Sequence, residues 1–105
     1  MRIAVCDYAG HAYAVQLSRE FARRGHSVRH LHFAEFQAPK GELRLRADDP
    51  EALEIVPVSL GRPFAKYSFI ARRRQEIEIG KRIGARVLEF TPDVVLGNLP
   101  LVALA

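Results

Sequence analysis

The sequence predicts an α/β domain: a three-layer arrangement with a four-stranded, mainly parallel sheet of strand order 3-2-1-4. Three observations carry this expectation. Short apolar runs and segments of helical spacing follow one another in the order β-α-β-β-α-β. The runs are apolar enough to be covered on both faces, as buried parallel strands are. The first connection is a helix of about a dozen residues, long enough for a crossover between parallel neighbours.

The first strand is Arg2–Cys6, an apolar run with Ile3 and Val5, closed by Asp7 and Gly10. From Ala12 to Arg24 the spacing becomes helical. Ala14, Leu17, Ser18, Phe21 and Ala22 share a face, while Gln16, Arg19, Glu20, Arg23 and Arg24 point outwards. Basic residues in the last turn suit the helix dipole, and Gly25 ends the helix. Ser27–Phe33 is the second strand, with Val28, His30 and His32 on one face and Leu31 and Phe33 on the other. The breaker-rich stretch 34–53 is irregular. Glu54–Ser59 follows as a third strand, and Pro57 assigns it to an edge because proline cannot donate to the ladder. Tyr67–Phe90 is a long helix with Ile79, Ile83, Val87 and Phe90 in one stripe and Ile77 and Leu88 nearby. Gly80 and Gly84 on its side suggest a close packing contact or a weak point. Pro92 stops it, and Asp93–Gly97 is the fourth strand.

Composition limits the function classes. The 105 residues are 49% hydrophobic, enough for a core, and carry a net charge of +4 spread along the chain. No nucleic-acid motif accompanies the charge, so nucleic acid is not an expected partner. The single cysteine, Cys6, lies in an apolar run and reads as a small buried residue in a reducing compartment. A strand pattern begins at once, with no signal-peptide pattern before it, and no apolar run reaches the length of a membrane span. The expected location is cytoplasmic, with any membrane contact peripheral.

The strand order directs attention to one place. Strands 1 and 4 are neighbours whose connections diverge, so their carboxyl ends flank a crevice of the kind that binds ligands. The loops there are 7–11 and 97–100. Asp7, Gly10 and His11 precede a helix N-terminus, which favours a phosphate or sugar oxygen; Gly10 permits close backbone approach, and His11 and Asn98 add polar groups. The alternative is that Asp7 and His11 close a turn and cap the helix. The glycine fingerprint of dinucleotide binding is missing, which leaves Glu35 little weight as a ribose ligand and no cofactor expected. His30 and His32 lack further metal ligands at a supporting spacing and fit sheet packing, and Asp48-Asp49 reads as a turn. Arg72-Arg73-Arg74, with Lys66, Lys81, Arg82 and Arg86, suits either anionic lipid head groups or a solvated face balanced by Glu76, Glu78 and Glu89.

Four passages are similar to a known family. Met1–His11 followed by Gln16–Val28, with its Arg-Arg-Gly-His-Ser-Val helix-to-strand passage, resembles the N-terminal domain of family 4 retaining glycosyltransferases of GT-B architecture. Pro63–Ser68 and Pro92–Leu96 resemble it too. Where many members carry a glycine pair in the first loop, this chain has Gly10 alone. The resemblance implies that residues 1–105 form a Rossmann-like acceptor-side domain, truncated, whose donor domain lies outside the chain. It implies a transferase that moves a sugar from a nucleotide-sugar donor to a hydroxyl acceptor, in many members lipid-linked. Lys66 and Tyr67 would then line the acceptor pocket beside Asp7, Gly10, His11 and Asn98, with no catalytic base assigned and the isolated chain inactive. Outside the resemblance, a non-catalytic Rossmann-like ligand-binding module or a self-associating module fits the same residues, because no helix follows strand 4 to cover the sheet.

Overall fold

A computed structural model describes residues 1–35, 43–61 and 68–97. The elements are β1 (Arg2–Asp7), α1 (Ala12–Arg23), β2 (Ser27–Phe33), β3 (Leu53–Val58), α2 (Phe69–Phe90) and β4 (Val94–Gly97). All three strand pairings are parallel, in the order β3-β2-β1-β4. The layout is Rossmann-like, and β3 with its Pro57 lies at an edge.

Alternation along the strands sorts the core into two layers. Ile3, Val5, Val28 and Leu53 meet Ala22 of α1 on one face. Cys6, Tyr8, Leu31, Phe33 and Val58 meet Ile79 and Ile83 of α2 on the other. These side chains are nearly all fully buried, each contributing about 1.5–3 kcal/mol for the larger aliphatics and aromatics.

The buried face of α1 differs from the face that spacing predicts. Val15 and Arg19 are buried with Ala14, Ser18 and Ala22, whereas Leu17 is 42% exposed. Arg19 is held on the buried side by a specific partner. Its Nε lies 3.1 Å from Asp49 Oδ1, both side chains being 2% exposed, and its Nη2 donates to the Arg44 carbonyl at 2.8 Å. This pair ties segment 43–50 to α1. Asp48-Asp49 is therefore a turn, as the sequence implies, and also an anchor.

The start of β1 fixes the end of α2. Arg2 donates to the Phe90 carbonyl from Nε at 3.0 Å, and its guanidinium lies 4.2 Å from the Phe90 ring centroid. Thr91 takes a left-handed conformation (φ 51°) at the helix end, and Pro92 prevents further helix. Asp93 then exchanges hydrogen bonds with the Arg2 backbone at 2.7 and 2.8 Å, which sets β4 beside β1. Of the two helical glycines, Gly84 has open space where a Cβ would stand, so packing does not require it.

Candidate functional site

The carboxyl ends of β1 and β4 lie side by side, with Cys6 opposite Gly97 in the register. The connection from β1 runs through α1 to β2, on the other side of β1 from β4. The loop 8–11 therefore stands at the divergence of two connections, the position that the sheet order predicts.

Asp7 shapes this loop from beneath. Its Oδ1 accepts hydrogen bonds from the Gly10 and His11 amides, both at 3.1 Å. Its Oδ2 lies 3.1 Å from His30 Nε2, and His30 Nδ1 lies 2.7 Å from Ser18 Oγ. Asp7, Ser18 and His30 have no exposed surface. An ionised carboxylate only accepts, so the hydrogen shared with Asp7 belongs to Nε2. Nδ1 then accepts from the Ser18 hydroxyl when bare, or donates to it when protonated.

These residue types are those of a nucleophilic relay, but the geometry is that of a brace. Ser18 lies in the middle of α1 and faces the sheet, where no substrate carbonyl has access. The Asp7 side chain, expected at the cleft, is fully buried with His30 and Ser18 of the α1 side of the sheet and bears on the loop through the amides it orients. His30 has the packing role that its strand position implies, made specific by two hydrogen bonds. Sequence reasoning missed the Ser18–His30 pairing. The available signal was two polar residues at inward positions of one βαβ unit.

Gly10 is buried with φ 78°, a left-handed conformation that favours glycine where the strand turns into the helix. His11 is half-buried, serves as N-cap of α1 through its backbone, and stacks its ring on Tyr13 at 5.5 Å. The His11 side chain makes no capping hydrogen bond, and the first turn of α1 holds no acidic residue. The positive end of the helix dipole is thus not offset from within α1.

Tyr8 points to the opposite face, under α2, with its ring 5.3 Å from that of Phe33. Burial pushes its hydroxyl well above the ordinary tyrosine range; the Glu76 charge adds to this and the Arg72 charge opposes it. The loop thus joins the core beneath α2 through Tyr8, in one cluster with Ile79 and Ile83, and leads into α1. An apolar notch adjoins it between α1 and β4, lined by Val5, Tyr13, Leu17 and Leu96 among others.

The remaining sequence candidates divide clearly. Glu35 accepts from Ser59 Oγ at 2.7 Å and the Leu60 amide at 2.6 Å, so it clamps the two loops that follow β2 and β3. His32 is buried in the sheet face, and no group of three metal-ligating side chains occurs among the described residues. Asn98, Lys66 and Tyr67 lie outside the described residues. Comparisons with protein families, with curated proteins and with solved structures find no match for this chain.

Proposed function

We propose that the chain is the acceptor-side half of a glycosyltransferase that moves a sugar from a nucleotide-sugar donor to a hydroxyl acceptor. The observation that supports this reading is the braced 7–11 loop at the divergence of β1 and β4. Its Gly10 and His11 amides are held by the buried Asp7 carboxylate, and it leads into a helix whose first turn holds no acidic residue. Because the Gly10 and His11 amides donate to Asp7, a sugar oxygen would be received by the first-turn amides of α1 and by the His11 ring, held in place by the braced loop, as catalysis by positioning requires. In this reading Gly10 permits close approach and His11 donates to or accepts from the acceptor. The assignment to sugar transfer rests on the resemblance of 1–28, 63–68 and 92–96 to the GT-B family.

The product of the complete open reading frame, incubated with a panel of nucleotide diphosphate sugars and hydroxyl acceptors, provides the test. Transfer is expected from the full-length protein and not from residues 1–105 alone. His11→Ala should lower kcat/KM at least tenfold without loss of thermal stability, equivalent to about 1.4 kcal/mol of transition-state binding. Absence of transfer across the panel, or transfer unaffected by His11→Ala and Gly10→Ala, would refute the reading.

A second reading, a self-associating module, is favoured by β4. Val94, Val95 and Leu96 are 36%, 53% and 36% exposed, and neither helix packs over this strand. Among the described residues it is an edge without charge, proline or bulge, the devices that usually protect one. Light scattering decides between them: a concentration-dependent mass abolished by Val95→Lys supports self-association, and a monomer at all concentrations removes it.

A further inference from the structure

α2 is apolar on two opposite faces. Ile79, Ile83 and Phe90 are buried against the sheet. Directly opposite, Ile70, Ile77 and Leu88 are 67%, 38% and 77% exposed. At 3.6 residues per turn, Ile77 stands about two turns beyond Ile70 and Leu88 about five, so the three form one line about 27 Å long. A solvated helix face does not require such a line.

Charge along this line is one-sided. Arg73, Arg74 and Lys81 flank it at helical offsets of three, four and eleven from Ile70. None of them has an ion pair among the described residues, and Arg73 lies 5.9 Å from the ring centroid of Phe69, itself 74% exposed. The acids of α2 sit to the sides and are engaged there. Glu76 pairs with Arg72 at 3.2 Å, Glu78 with Arg82 at 2.8 Å, and Glu89 with Arg29 at 3.3 Å and Arg86 at 3.5 Å. The N-cap is Ser68, and no acidic residue follows in the first turn, so the helix dipole adds positive potential where the arginines cluster.

We propose that the outward face of α2 docks on an anionic lipid bilayer, with α2 lying in the interface plane. Ile70, Ile77 and Leu88 enter the headgroup–acyl boundary, and Arg73, Arg74 and Lys81 meet the phosphates around them. Charge complementarity selects this occupant. A protein groove would match the aliphatic line but has no need of three cations without ion pairs among the described residues, whereas an anionic bilayer uses both. No helix among the described residues is long and apolar enough to cross a membrane, so the contact is interfacial. The proposal is independent of the transferase reading, because it uses none of the residues of the 7–11 loop.

Flotation of the whole chain with vesicles tests it. Binding is expected to mixed phosphatidylcholine–phosphatidylglycerol vesicles, to be absent with phosphatidylcholine alone, and to weaken as salt rises. Each of Arg73→Gln and Arg74→Gln should reduce partitioning by roughly fivefold. Leu88→Ser and Ile70→Ser should reduce it as well, with unchanged far-ultraviolet dichroism, since both side chains are exposed. Equal binding to neutral vesicles, or no loss in any of the four variants, overturns the proposal. So does a lipid-free dimer that Ile70→Ser or Leu88→Ser abolishes, which would give this face to a second copy.

Discussion

Ser18→Ala tests the brace beneath the candidate loop most directly. The substitution removes one oxygen from a site with no exposed surface and leaves His30 Nδ1 facing a methyl group. A buried polar atom deprived of its partner costs about 1–3 kcal/mol. Against a total of about 5–15 kcal/mol for a domain of this size, that is a large fraction. At roughly 4–8 °C per kcal/mol, the melting temperature should fall by about 5–20 °C. His30→Phe should cost more, about 3–5 kcal/mol, because the Asp7 carboxylate then loses a donor in a dry environment. The double variant should fall well short of the sum. Once the ring is gone, there is no Nδ1 for Ser18 to satisfy, and the coupling should be about 1–3 kcal/mol. Urea unfolding followed by dichroism measures all four corners of the cycle, and hydrogen exchange at the Gly10 and His11 amides reports the loop. An additive cycle, or a Ser18→Ala protein within about 0.5 kcal/mol of the parent, would show that the geometry contributes no brace.

The Arg19–Asp49 anchor predicts a pH signature. Burial alone would raise the Asp49 carboxyl, but the Arg46 amide, the Arg19 hydrogen bond and the charges of both arginines hold it below the ordinary aspartate value. A folded value below the unfolded one contributes stability that is present above the unfolded value near 3.9 and lost as pH falls through the folded value. Thermal melts at successive pH values below 4 should therefore converge for the parent and Asp49→Asn, and separate at neutral pH; a constant difference across the series would contradict this. Burial also pushes the Cys6 thiol up to about 11, so native protein at pH 8 should resist a thiol-reactive disulfide reagent and react fully once unfolded in urea. Fast native labelling would show that the face of β1 beneath α2 is open.

How much was legible depended on the kind of contact. A strand edge and a helix end were readable where a single residue imposes a constraint, as Pro57 does for β3 and Pro92 for the end of α2. The burial of Cys6 followed from its apolar run, and period alone put Leu31 with Phe33 and Ile79 with Ile83 on common faces, all of them buried. Leu17 and Arg19 of α1 were read on the wrong sides. Hydropathy sees only the helix, whereas the buried Arg19 is held by Asp49, thirty residues away.

The sequence by itself determined the fold class, the strand order and the location of the loop at the sheet's divergence point, because periodicity and chain breakers are local properties. Only the tertiary structure decided what Asp7 does. Its place at the end of a strand is compatible with lining a cleft or with closing a turn. The choice falls to His30 and Ser18, brought under it from the next strand and the crossover helix, since a buried carboxylate must be satisfied by whatever donors the packing delivers. The same holds for α2, whose Ile70, Ile77 and Leu88 are indistinguishable from core residues until the sheet has claimed the opposite face.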